Sequence, residues 1–368
     1  MSRFSRQTIL PGFGNEGQEK LAKARVLVIG AGGLGCPILL HLAAAGVGSL
    51  GIADGDNISE SNLNRQTLFG VKDIGKPKAG TAADKLKETY PDINFEVISE
   101  FLNTHNALEI IEGYDLVLDG SDNFGTRYLI NDACVLLHKP LIMGAIYQYE
   151  GQVAVFNTGS DPINYRDIYP NPPGEQEIPN CAEAGVLGVL PGMVGILQAT
   201  EAIKLLSGVG EVLQNKMLFY NLRTTSFFEL EVTPNPSARK DLPADQEALR
   251  NKDYSIQCGA VETINWAKAI DWANQTENAL IIDVRAPGEW PDIQFPGIVQ
   301  IPKLELEKHP ERIASVEHLF LFCRSGRRSA ETAAFLKKTF PEKRIFSIEG
   351  GILDPSSPLN SAAYGAKA

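Results

Sequence analysis

A chain of 368 residues with 43% hydrophobic and 21% charged residues has ordinary globular usage, which excludes the disordered, collagen-like and coiled-coil classes. Its 34 basic against 45 acidic residues give a net charge of -11, the wrong sign for a grip on nucleic acid or an anionic membrane, so neither is expected as a partner. Five cysteines, the closest pair 47 positions apart, write neither a disulfide framework nor a C-x-x-C zinc site; with a polar Met1–Arg6 that lacks a secretory apolar stretch, they predict a reduced, cytoplasmic protein.

In chain order, Arg25–Ile29 is a β-branched run ending in glycines, Leu34–Ala45 reads as a helix closed by Gly46, and Ser49–Ala53 reads as the next strand, making a βαβ unit. Phe95–Ile98 and Tyr114–Leu118 continue the parallel pattern and predict a doubly wound, Rossmann-like α/β sheet. Pro140–Met143 and Gln152–Phe156 flank a hairpin turn at Tyr147–Gly151, so the sheet is expected to be mixed. The uncharged stretch Ala184–Thr200 is broken by glycines and Pro191 and reads as a buried helix with its approach rather than a membrane span. Pro234, Pro236, Ser237, Arg239–Asp241 and Pro243 break the periodicity. This divides the chain into a first domain at 1–235, an exposed linker at 236–253 and a second, small α/β domain at 254–368. In the second domain Ala279–Asp283, Glu317–Phe322 and Arg344–Ile348 alternate with helices.

Gly30, Gly32, Gly33 and Gly35 form a G-x-G-x-x-G turn between a strand and a helix, where phosphate can approach backbone N–H groups. Asp54 stands at the tip of the next strand, where a carboxylate can accept from a ribose. Alone these favour a dinucleotide enzyme. The residues that follow point elsewhere: Asp56, then Ser61, Asn62, Leu63, Asn64, Arg65 and Gln66 in one loop, then Lys78. Arg65 and Lys78 near one phosphate site suit a triphosphate whose charge must be neutralised as pyrophosphate leaves. Asp122, beside Asn123 just beyond a strand end, could hold Mg²⁺ against the phosphates.

With Ser5–Gln7, Pro77–Lys78, Ser121–Asn123 and Cys181–Gly185, this set closely resembles the adenylating domain of the ubiquitin-activating superfamily over about Met1–Thr233. The narrower likeness is to bacterial members that activate sulfur-carrier proteins for molybdopterin and thiamine synthesis. The resemblance implies ATP-dependent adenylation of the C-terminal Gly-Gly carboxylate of a small ubiquitin-like sulfur carrier. It further implies ATP contacts at Gly33, Asp54, Ser61–Arg65, Lys78, Asp122 and Asn123, a homodimer in which Arg6 reaches the partner's site, and a catalytic role for Cys181 in thioester, persulfide or disulfide chemistry. Most relatives bind zinc through two C-x-x-C pairs, but Asn164–Asp167 and Ser237–Asp241 stand in their places, so no zinc and a different clamp are expected.

Cys323 follows a strand and opens Arg324–Arg328 before a helix near Ser329, a loop that can aim N–H groups at one anionic sulfur. Together with Asp283–Arg285, Phe295–Gly297 and Glu349–Gly351, it resembles a rhodanese sulfurtransferase. A loop-thiolate phosphatase would need an Arg six residues after the cysteine, where Ser329 stands. Cys36, Cys134 and Cys258 read as packing residues. The combined expectation is carboxylate adenylation in the first domain and sulfur delivery from a persulfide on Cys323, loaded by a persulfide or thiosulfate donor, to give a thiocarboxylate. The alternatives are an NAD-dependent oxidoreductase with a regulatory rhodanese-like module, and a non-catalytic scaffold.

Overall fold

The computed structural model describes residues 3–171, 185–254, 262–289, 297–354 and 356–359. It divides into two compact units, Met1–Ile256 and Gln257–Ala368.

In the first unit the strands are β1 (Arg25–Ile29), β2 (Ser49–Ala53), β3 (Asn94–Ile98), β4 (Leu116–Asp119), β5 (Leu141–Tyr147), β6 (Glu150–Phe156), β7 (Lys216–Asn221) and β8 (Ser226–Glu231). Among the described residues they form one sheet in the order β3-β2-β1-β4-β5-β6-β7-β8. Pairing is parallel from β3 to β5 and antiparallel from β5 to β8. The mixed sheet foreseen from the hairpin is present, with Tyr147 opposite Glu150 across a turn of two residues. Because side chains alternate across a strand, Val26 and Val28 of β1 pack on one face of the sheet and Leu27 and Ile29 on the other. The first face is covered by α3 (Gly35–Ala45) and the long helix Val189–Ser207 through Ile38, Leu39, Leu42, Leu190 and Val194. The second is covered by Ala107–Glu112 and α6 (Phe124–Leu136) through Ile111, Ile130 and Ala133. Helix Val189–Ser207 is the one described helix long and apolar enough to cross a membrane, and its Leu190, Val194, Ala199 and Ala202 are buried in this core.

The segment expected as an exposed linker, 236–253, differs from that expectation. It forms a 3-10 turn at Ala238–Asp241 and a helix at Gln246–Asn251, capped by the Asp245 carboxylate accepting from Ala248 N–H. Leu249 is fully buried in the first unit's core, and its burial together with the Arg239–Asp167 ion pair ties this polar stretch to the first unit.

In the second unit a parallel sheet runs β11-β10-β12-β13-β9, with β9 (Glu262–Ile264), β10 (Ala279–Asp283), β11 (Ile298–Gln300), β12 (His318–Phe322) and β13 (Arg344–Ile348). Phe320 and Phe346 stack with centroids 5.4 Å apart, and buried Trp266 donates to the Gly351 carbonyl at 2.7 Å. The helix after Cys323 starts at Arg327, two residues before the expected Ser329.

Candidate functional site

The glycine turn between β1 and α3 divides its glycines by task. Gly30 has φ +92 and lies against the Gly120 carbonyl, 2.7 Å from where a Cβ would stand; a Cβ at Gly35 would meet the Gly30 carbonyl at 1.8 Å. These two let the ends of β1, β4 and α3 close on one another. Gly32 and Gly33 instead face side chains: the Gln66 amide nitrogen lies 3.6 Å from a Cβ on Gly32, and Arg65 Cγ 3.4 Å from one on Gly33.

Asp54, Asp56, Arg65, Gln66 and Lys78 gather about this turn. The Asp54 carboxylate accepts from the Ala31 N–H at 2.7 Å and the Asp56 N–H at 2.8 Å, so it orders the glycine turn itself. Burial raises the Asp54 pKa, while those two N–H groups oppose the shift. Lys78, at the start of helix Lys78–Thr89, is almost wholly buried and pairs with Asp56 at 2.8 Å, which keeps a charged ammonium tolerable there. Gln66 is 3% exposed, and its Oε1 has no hydrogen-bond partner among the described residues. The Ser61–Gln66 loop opens with a 3-10 turn in which Asn62 Oδ1 accepts from Ser59 N–H; Ser61 and Asn64 are exposed, Asn62 and Leu63 half-buried. Arg65 donates to the Ser61 carbonyl at 3.0 Å and to Asn64 Oδ1 at 3.1 Å.

Asp122 and Asn123 are exposed on the loop after β4, and Asn123 caps α6 by accepting from Thr126 N–H at 2.8 Å. The support beneath this loop was missed in the sequence. Fully buried Asp119 accepts from the Ser121 N–H at 2.9 Å and hydroxyl at 2.6 Å, and Arg127 lies 3.5 Å from its other oxygen while donating to the Ser121 carbonyl. An Asp-Gly-Ser at a strand end is an Asx-turn signal that could have exposed it. An exposed carboxylate at a strand end fits Mg²⁺, which keeps waters and phosphate oxygens and takes one or two carboxylates. Arg6 is not in the cluster. It is exposed on the helix Ser5–Thr8, whose Gln7 donates to the Ala45 carbonyl at the C-terminal end of α3, roughly 16 Å of helix from the glycine turn. Cys181 and Cys258 lie outside the described residues.

Where zinc ligands were sought, the oxygens are engaged otherwise. Asn164 caps the helix Tyr165–Ile168, and Asp167 accepts from Arg239 Nε at 2.9 Å and Nη2 at 2.8 Å and from the Asn235 N–H at 2.7 Å. This forked ion pair joins the two segments at which zinc ligands were expected to be replaced, and the residues do not fit a zinc ion. Among the described residues no group of three or more metal-ligating side chains gathers anywhere.

In the second unit Cys323 closes β12 and is 1% exposed. The Ser329 hydroxyl lies 3.7 Å from its sulfur and also touches the Ser347 hydroxyl at 2.9 Å. Gly326, with φ +85, turns the loop into its helix, and Gly351 passes so close that a Cβ would stand 2.2 Å from the Cys323 carbonyl. The buried pair Asp283–Arg285 underlies the loop's flank, and Glu289 pairs with Arg328 at 2.5 and 2.7 Å. That pairing holds the Glu289 carboxyl at about 2. Cys36 and Cys134 are buried, and burial pushes the Cys36 thiol up to about 12 and raises Cys134 as well, as inert packing thiols should be.

A ThiF family profile matches residues 4–241 and a rhodanese-like domain profile residues 264–354. A Mycobacterium tuberculosis protein named "Probable adenylyltransferase/sulfurtransferase MoeZ" is 41% identical over 96% of this chain and 92% of its own length. The sulfur carrier protein adenylyltransferase of Thermus thermophilus is 48% identical over 70% of this chain and 97% of its own length. The adenylyltransferase and sulfurtransferase MOCS3 of Drosophila grimshawi is 37% identical over 96% and 83%. Among solved structures, E. coli MccB superposes with a TM-score of 0.57 at 22% identity, covering 64% of this chain and 71% of that one, a likeness of fold.

Proposed function

Because the chain belongs to the ThiF family and carries a rhodanese-like domain behind it, we propose that this adenylyltransferase and sulfurtransferase converts the C-terminal Gly-Gly carboxylate of a small ubiquitin-like sulfur carrier into a thiocarboxylate. The carrier carboxylate attacks the α-phosphorus of ATP, the bond to the β-phosphate breaks, and pyrophosphate leaves. Arg65 and Lys78 balance the charge that builds on the phosphates, and Asp54 orders the turn and receives the ribose. Asp122 holds Mg²⁺, which supplies further charge neutralisation when bound. The site acts by positioning and electrostatics, with no strong base required.

The second step begins on Cys323 carrying a sulfane sulfur from a thiosulfate or persulfide donor. The outer sulfur attacks the acyl carbonyl and AMP leaves, giving an acyl disulfide. A thiol then attacks the Cys323 sulfur, the S–S bond breaks toward the carrier, and the thiocarboxylate departs as a new disulfide forms; cellular thiols reduce that disulfide. Cys181 is our candidate for this thiol. The placement of Arg6 at the end of α3 remote from its own glycine turn supports a homodimer in which it serves the partner's site.

The observation that carries the reading is one glycine turn flanked by two cations, Arg65 and buried Lys78, in a chain whose other unit ends a parallel strand in a loop cysteine. A dinucleotide oxidoreductase has no use for that combination. The test is pyrophosphate exchange in the presence of candidate small proteins ending in Gly-Gly, each also tested without those two residues. Exchange that needs both the carrier and its Gly-Gly end is expected, with Cys323→Ala sparing exchange and abolishing thiocarboxylate. Exchange indifferent to the Gly-Gly end would overturn the assignment.

A further inference from the structure

Two turns of α6 separate Gly125 from Asp132, so both lie on one face of the helix. Tyr254, more than a hundred residues later and the last described residue of the first unit, touches both. Its backbone carbonyl lies 2.3 Å from where a Cβ on Gly125 would stand, leaving no room for any side chain. Its hydroxyl donates to Asp132 Oδ2 at 2.8 Å. Asp132 is fully buried and also receives Arg166 Nε at 2.8 Å and Nη2 at 2.7 Å, with Lys252 Nζ 3.6 Å away. The ring between these two anchors packs on the core of that sheet face, and Lys252 sits over it at 5.7 Å.

This strap holds the helix that directly follows the loop of Asp122 and Asn123, the proposed metal and nucleotide residues. Gly125 is three positions after Asp122, and Asn123 Oδ1 lies 3.8 Å from the Cβ position that the Tyr254 carbonyl crowds. We infer that Tyr254 is a positioning residue of the nucleotide site, fixing the first turn of α6 so that Asp122 and Asn123 meet ATP in register. The inference rests on the reading of Asp122 and Asn123 as nucleotide residues and extends the working site to the end of the first unit.

The test is calorimetric titration of the full chain with ATP and Mg²⁺, comparing Tyr254→Ala, Tyr254→Phe, Gly125→Ala and Asp122→Ala with wild type. A small displacement of an ordered site is costly, so Tyr254→Ala should weaken binding roughly tenfold and Tyr254→Phe, which keeps the ring, by less. Gly125→Ala should weaken binding in wild type and cost less when Tyr254 is already Ala, since the strap can then yield. Sulfur loading of Cys323 from thiosulfate should be unchanged throughout. Where Tyr254→Ala does not fold, Tyr254→Phe carries the test, and a loss of at least about twofold supports the role. If Asp122→Ala weakens binding and the Tyr254 variants bind as wild type does, the strap inference alone falls. If Asp122→Ala also binds as wild type does, the nucleotide reading and the strap inference fall together.

Discussion

In the proposed reaction single side chains of the first unit supply charge where charge changes, and they differ in how much they also pack. Asp122 is exposed, so Asp122→Ala should lower carrier-dependent pyrophosphate exchange by about 10²-fold or more with an unchanged melting temperature. Lys78→Ala should do the same to exchange and also cost stability, because it leaves Asp56 without its cation and a hole where a buried stem packed. A Lys78→Ala protein with wild-type exchange would remove that residue from the phosphate site. In the second unit the Glu289 carboxyl is held at about 2 against an ordinary 4.5 by its hydrogen bonds to Arg328. A depressed folded-state value means stability that is fully present above about 4.5 and lost as pH falls through about 2. Glu289→Gln should therefore flatten the pH dependence of unfolding between those values. Equal slopes for wild type and variant would show that the pair adds nothing.

Elements whose local chemistry agrees with their burial were legible before any coordinates. β1, α3 and β2 follow from a β-branched run, a glycine turn and the left-handed Gly46 that ends the helix, and all three stand within a residue of their expected bounds. The Gln246–Asn251 helix was not legible, since the adjacent Ala248 and Leu249 in a polar stretch give no periodicity, and the Asp245 cap and the burial of Leu249 together order it. β7 and β8 were likewise passed over; β8 is exposed along its whole length, so burial wrote no alternation into it. The motif residues around the glycine turn could be named from their spacing, and Asp119 was open to the Asx-turn signal at Asp119–Ser121, but Tyr254 could not be named, because it acts across a long sequence separation. The absence of cysteines at 164–167 and 237–241 is read directly from the sequence, whereas the partner of Asp167 needed the fold. Arg239→Ala should destabilise the first unit by about 1–3 kcal/mol, read by chemical denaturation, because it leaves the fully buried Asp167 short of its forked donor while Arg239 is itself 31% exposed. Metal analysis of the purified protein should find zinc well below one per chain; one tightly held zinc per chain would contradict the clamp.

On the scale of the whole molecule, two units with separate cores perform two chemistries, and the chain labels one of them. Trp266, Trp272 and Trp290 are its three tryptophans, and all fall within Gln257–Ala368. Tryptophan fluorescence therefore follows unfolding of the second unit, while circular dichroism follows both. ATP with Mg²⁺ at about a hundred times its dissociation constant should raise the stability of the first unit by about 2.7 kcal/mol and leave the fluorescence transition in place. A fluorescence transition that moves by the same amount would mean that the two cores unfold as one.

The Asp167–Arg239 fork has a consequence for the conditions under which such a protein stays whole. A clamp of thiolates around zinc is opened by peroxide, by chelators and by reactive sulfur, since each attacks or strips its ligands. A carboxylate and a guanidinium offer none of these reagents a target. The joint between the segments at 164–167 and 235–239 therefore depends on neither a bound metal nor a reduced thiol.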